Sequence, residues 1–186
     1  MRDRFLFIFI LAAAVACDLI SKWAVFRFVS AGEAIPVIPG VVQFRPVFNP
    51  GAVFGVLPGV SLLFVVISLG ATAAIIWILL SKQGKSLLTQ SSLALILAGI
   101  FGNLYDRLNF IYPRWASHFS SFLDRLKHGA VRDFIDFYGV WPCFNAADTF
   151  ICIGVGLALL QFLLLGKGDK KSAPEEAAGV SSARKV

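Results

Sequence analysis

A chain of 186 residues that is 58% hydrophobic and only 15% charged, with a mean hydropathy of +0.78, has too little polar surface for a soluble domain and belongs in a membrane. Its formal charge of +6 does not indicate nucleic acid, because the lysines and arginines stand at the ends of apolar runs and in loops and form no basic patch beside aromatics. Three cysteines without CxxC spacing, and His118 and His128 without a ligand motif, predict neither a disulfide framework nor a metal site, and no cofactor is expected.

About 20 apolar residues cross the hydrocarbon core as a helix. The first such run goes from Phe5 to Phe28 and contains Asp18 and Lys22, four apart and therefore on one helix face. Residues 29 to 55 follow, with Pro36, Pro39, Gly40, Pro46, Pro50 and Gly51 around a β-like stretch at Val41 to Phe48, which predicts a small strand-and-turn element at the membrane surface. A second span is predicted from Val56 to Leu80, with Pro58 and Gly59 in its first turn, where proline is tolerated. After the short loop Ser81-Lys82-Gln83-Gly84-Lys85-Ser86 comes a third span, Leu87 to Leu104, ending in Asn103, Asp106 and Arg107 on one side of the helix. Residues 108 to 130, with Tyr112, Pro113, Trp115, Phe119 and Phe122, read as an interfacial insert. The fourth span is predicted from Thr149 to Leu165, and residues 167 to 186 as a disordered cytoplasmic tail, so residues 1 to 166 form one four-span domain.

Arg2 and Arg4 before the first span, Lys82 and Lys85 in the short loop, and Lys167, Lys170 and Lys171 after the fourth place both termini in the cytoplasm. The arginines of the long segment between spans three and four then face outward. The expected fold is an all-α membrane protein of four spans, N-in and C-in, with a small outward β-element.

Carboxylates near a bilayer are costly, roughly 2.5 to 3.5 kcal/mol at a helix centre, and are retained mostly for function or in pairs. The densest cluster here is Val131-Arg132-Asp133-Phe134-Ile135-Asp136, followed by Phe144-Asn145-Ala146-Ala147-Asp148-Thr149. Asp148 stands where aspartate caps a helix, but capping does not account for a second acidic motif fifteen residues earlier. Two carboxylates in contact share a proton, so one can take a proton from water while the other protonates a carbonyl. That suffices for amide hydrolysis without metal, serine or cysteine, and neither a GxSxG motif nor a partnered histidine offers another route.

Five blocks in order carry a family resemblance: Asp18-Leu-Ile-Ser-Lys22, Asn49-Pro-Gly-Ala-Val-Phe-Gly55, Gly102-Asn-Leu-Tyr-Asp-Arg107, Val131-Arg-Asp-Phe134 and Phe144-Asn-Ala-Ala-Asp148. Over residues 15 to 165 the chain resembles lipoprotein signal peptidase, also called signal peptidase II. The resemblance implies a catalytic dyad of Asp133 and Asp148. It implies supporting or substrate-contacting roles for Asp18, Lys22, Asn49, Gly51, Asn103, Asp106, Arg107, Asn145 and Ala147. The implied substrates are prolipoproteins carrying diacylglycerol on the lipobox cysteine, cut just before that cysteine, with membrane lipid around the site. The implied location is the bacterial inner membrane, with the site at its periplasmic face.

Two features depart from the family pattern. Arg132 stands where an apolar residue is usual, and strand alternation predicts that it faces solvent or headgroups, away from Asp133. Asp106 lies 27 residues before Asp133, whereas Asp124-Arg125 lies at the more usual spacing; Asp106-Arg107 is preferred because Gly102-Asn103 accompanies it. Asp136 is a further candidate acid, off the dyad motif. Two other functions compete. A transporter or channel subunit would line a pathway with these acids. A membrane-anchored lipoprotein would use Cys17, but Ala14 fits poorly three residues before it and three more spans follow.

Overall fold

The structure, a computed structural model, describes residues 2–51, 60–81, 86–111, 113, 118 and 121–166. The start predicted for span two at Val56, with Pro58 and Gly59, the loop lysines 82 and 85, Tyr112, Trp115, Phe119 and the tail 167–186 lie outside these residues. The elements run in the order α1 (Arg2–Phe28), β1 (Ile35–Ile38), β2 (Val42–Asn49), α2 (Val60–Leu80), α3 (Leu87–Asn109), α4 (Phe122–His128), β3 (Val131–Asp136) and α5 (Ala146–Gly166). Helices α1, α2, α3 and α5 are long and apolar enough to cross a membrane.

Helix α3 is the central span and packs most extensively against α5, then against α1, with α2 leaning on it from the other side. At the α3–α5 seam a Cβ on Gly99 would collide with the Ala147 carbonyl and Ile151, and one on Gly154 with Ile96 and the Ser92 carbonyl, so glycine lets the two backbones approach closely. On the far side of α3, Leu93, Leu97 and Ile100 meet Ile75 of α2, flanked by Phe7 and Leu11 of α1. Outside these contacts the spans expose large side chains such as Phe9, Leu63, Trp77 and Phe162, as a lipid-facing surface should.

Spans three and four extend beyond their hydropathic limits. Helix α3 continues five residues past Leu104, because Asn103, Asp106 and Arg107 point into the protein and remain helical. Helix α5 begins at Ala146 instead of Thr149, because Asn145 and Asp148 cap it reciprocally. The Asn145 Oδ1 accepts the Asp148 N–H at 3.1 Å, and the Asp148 carboxylate accepts the Asn145 N–H at 3.2 Å.

The three strands form one antiparallel sheet in the order β1-β2-β3, seated on the end of α1. There Phe134 packs with Val25 and Val29, and Phe44 meets Phe134 edge-on at 5.6 Å between ring centres. The β2–β3 register shifts between Phe44 and Val47, around Arg45 and Pro46, a place where proline costs no ladder bond. After β3, Tyr138 and Gly139 take positive φ angles of 52° and 78° and turn the chain back. Phe144 then bonds Phe134 and Ile135, which delivers Asn145 beside Asp133.

The insert leaves and returns at one point. Ala130 donates to the Phe110 carbonyl at 2.9 Å, and Ile111 bridges Gly129. The long spacing from Asp106 to Asp133 therefore does not separate the end of α3 from β3, where Asp106 bonds Arg132.

Candidate active site

Both candidate acids are held by asparagine amides whose orientation is fixed by their other bonds. Asn49 lies opposite Val131, so it shares a sheet face with Asp133 two residues on. Its Oδ1 accepts the Gly51 N–H at 2.8 Å, which leaves Nδ2 to donate to Asp133 Oδ2 at 2.8 Å. The carbonyl of Asn145 is engaged by the α5 cap, and its Nδ2 donates to Asp133 Oδ1 at 2.6 Å. Asn103 Oδ1 accepts from Lys22 Nζ at 3.0 Å and from Asn145 Nδ2 at 3.1 Å, so its own Nδ2 faces Asp148 Oδ1 at 2.8 Å. Asp133 and Asp148 are thus joined through Asn145, which donates to the first from its side chain and to the second from its main chain.

Asp133 is 2% exposed, and burial pushes its carboxyl up to about 7. The charge of Asp148 adds to the rise, while bonds from Asn49 and Asn145 and the charge of Lys22 oppose it. A carboxyl that keeps its proton near neutrality is what a proton-sharing pair requires.

Beneath the pair lies a buried ionic cluster. Lys22 Nζ is 2.7 Å from Asp18 Oδ2 and 3.3 Å from Asp106 Oδ2, and all three side chains are fully buried. Asp18 Oδ1 accepts the Ala147 N–H at 2.9 Å, so Ala147 contributes its main chain. Gly102 admits this arrangement, since a Cβ there would collide with the Asp18 carboxylate. At Gly51, φ is +89° and a Cβ would press on Phe64 and on the Arg107 guanidinium. That guanidinium stacks on Phe64 at 4.5 Å and faces the cleft.

Arg132 corrects an expectation. It does point to the face opposite Asp133, but that face is covered by the end of α3, so the side chain is buried instead of solvated. Its Nη2 and Nε donate to Asp106 Oδ1 at 2.8 and 3.1 Å, its main-chain N–H to Asp106 Oδ2 at 3.0 Å, and its guanidinium stacks on Phe110 at 4.3 Å. Between the two Asp-Arg pairs, it is Asp106 that joins the cluster and Arg107 that faces the cleft. Asp124 instead closes a capping box with Ser121 at the start of α4.

Asp136 lines the same cleft in another state. Gln43 and Arg45 on β2 donate to its Oδ2 at 2.6 and 3.0 Å, and the Arg45 bond holds its carboxyl below the usual carboxylate range. Sequence reasoning overlooked Arg45 because the pairing depends on the β2–β3 register. It also overlooked Cys143, whose thiol lines the cleft and is pushed up to about 12 by burial, which leaves it a poor nucleophile.

The cleft has a volume of about 950 Å³. Its polar end holds Asn49, Asn103, Arg107, Asp133 and Asp148. Its apolar end runs between α2, through Phe64, Ile67 and Ala71, and the α3–α5 pair, through Ile100 and Ile151.

Amide hydrolysis by carboxylates among helices that cross a bilayer is the work of membrane-embedded aspartic peptidases, and this cleft fits that class. The profile of the signal peptidase (SPase) II family matches residues 10–164. A lipoprotein signal peptidase of Shouchella clausii (strain KSM-K16) is 35% identical over 158 residues, covering 85% of this chain and 93% of its own. One of Pelotomaculum thermopropionicum is 35% identical over 171 residues, covering 92% and 98%. A solved bacterial membrane enzyme superposes with a TM-score of 0.72 at 26% identity, over 91% of this chain and 93% of that one. The chain belongs to the signal peptidase II family.

Proposed function

We propose that this chain removes signal peptides from prolipoproteins, using Asp133 and Asp148 as the acid pair. The supporting observation is the continuity of the cleft, in which both carboxylates stand at one end of an apolar slot between α2 and the α3–α5 pair. An extended peptide crossing the polar end would present its scissile carbonyl to the acids, while a lipid tail on the neighbouring residue would occupy the slot. One carboxylate then takes a proton from the attacking water, and the other protonates the carbonyl oxygen. As the C–N bond breaks, the amine leaves with a proton returned by the pair. The substrate is read as a prolipoprotein with diacylglycerol already on its lipobox cysteine, cut just before that cysteine.

The test compares a lipidated prolipoprotein with its unlipidated form, using purified protein in lipid or detergent. Cleavage before the cysteine is expected with the lipidated form, at a kcat/KM higher by at least about tenfold, given roughly 0.8 kcal/mol for each CH₂ buried. Equal cleavage of both forms would remove the lipid from the recognition scheme, and no cleavage of either would overturn the peptidase reading.

The site is assigned to the periplasmic face of the inner membrane, with both chain ends in the cytoplasm, on the basis of the basic flanks. A reporter fused after Val186 is expected to be active only in its cytoplasmic form. A periplasmic readout would invert the orientation.

A further inference from the structure

We propose that Arg132 is a positioning residue for Asp133, the terminal link of a buried chain of charges that sets how the two acids face one another; the proposal rests on reading Asp133 and Asp148 as the catalytic pair. The chain starts at the Ala147 N–H, which donates to Asp18 Oδ1 at 2.9 Å. It passes from Asp18 to Lys22 at 2.7 Å, from Lys22 to Asp106 at 3.3 Å, and from Asp106 to the Arg132 guanidinium at 2.8 Å. Its two ends are the residues immediately before the acids: Ala147 precedes Asp148, and Arg132 precedes Asp133.

Each end holds main chain as well as charge. Asp18 grips the first turn of α5 through the Ala147 N–H. Asp106 grips β3 through the Arg132 N–H and closes on the same residue's guanidinium with two further bonds. Phe110, under the guanidinium, also accepts the Ala130 N–H, so the residues on both sides of Val131 are tied to the end of α3. Alternation along β3 turns Arg132 away from the cleft, and Arg132 is absent from the cleft lining. It therefore acts on the reaction through the strand and not by touching substrate.

Charge balance gives the guanidinium a second consequence. Asp18 and Asp106 are opposed by Lys22 and Arg132, so the four-membered chain is neutral inside the protein. Without Arg132 two buried carboxylates would share one ammonium, and β3 would be held to Asp106 by a single main-chain bond. Asp133 would then be free to shift relative to Asp148, and small misplacements of reacting groups are costly in rate.

The experiment measures cleavage of a lipidated prolipoprotein by Arg132→Lys, Arg132→Gln and Arg132→Met in the full chain, normalised to folded, monodisperse protein. Values of kcat are expected to fall in that order, reaching a loss of about 10- to 100-fold with methionine. KM should stay within about twofold of the parent's throughout, since the residue does not touch substrate. Partial recovery by lysine identifies the charge contact with Asp106 as the working part. If the methionine variant does not fold, the glutamine variant decides, and a parental kcat there overturns the proposal. A raised KM with unchanged kcat also overturns it. Failure of the parent to cleave, or full activity of Asp133→Asn, would instead remove the underlying dyad.

Discussion

Replacing Asp133 or Asp148 by asparagine is expected to lower kcat by about 10²- to 10⁴-fold, the scale of a lost acid–base group. Asparagine preserves the size of the side chain but cannot pass a proton. At position 133 it also puts an NH₂ where Asn49 and Asn145 both donate, so one of those bonds must be lost. The pH profile should carry the same signature. Burial raises the Asp133 carboxyl to about 7, so the shared proton leaves as the pH passes that value and kcat/KM falls on the alkaline side. The sign for stability follows from the same shift. The folded state binds this proton more tightly than the unfolded chain, so stability falls as pH rises from 3.8 toward about 7. Measurement of kcat/KM from pH 5 to 9 for the parent and both variants checks these outcomes. Asp136→Asn serves as the control, because Arg45 and Gln43 keep that carboxylate committed elsewhere. Full activity in Asp133→Asn together with an inactive Asp136→Asn would transfer the role to Asp136.

Hydropathy located the spans because lipid-facing surface is written directly in residue type, and it placed the ends at Phe28 and Leu80 and the start at Leu87, but it cut short the end of the third span and the start of the fourth. It stopped the third span at Leu104, since a run average cannot tell a polar residue facing water from one facing the interior, and Asn103, Asp106 and Arg107 all turn inward. Strand β2 was visible as a local stretch, whereas its partner β3 joins it from more than eighty residues away. That pairing creates the Asn49–Asp133 bond and the Arg45–Asp136 ion pair, neither of which local spacing can reveal. Arg132 shows the same limit in one residue: strand alternation gave its direction, and only tertiary packing placed Asp106 and Phe110 there to receive it. The two Asp-Arg pairs were likewise separable only by packing, which buries Asp106 and leaves Asp124 to cap a short helix.

Lys22→Met is expected to destabilise the protein more than any other single change in the ionic cluster, by about 3–5 kcal/mol, the cost of breaking a buried pair by removing one partner. The ammonium lies between Asp18 and Asp106 with none of the three side chains reaching the surface. Removing it leaves two carboxylates facing one another, of which only Asp106 retains a cation, Arg132. The damage extends to the acids, because Lys22 Nζ is one of the two donors that fix the Asn103 amide toward Asp148. Activity per folded molecule should therefore fall along with the melting temperature. The double variant Asp18→Asn/Lys22→Met separates the two effects. It removes the uncompensated carboxylate and should recover part of the melting temperature, while the loosened Asn103 keeps kcat low. Thermal unfolding and kcat measured on parent, single and double variants provide the check. A single variant that melts with the parent would mean that the cluster does not hold the site together, and that Asp133 and Asp148 owe their placement to the sheet and the α5 cap alone.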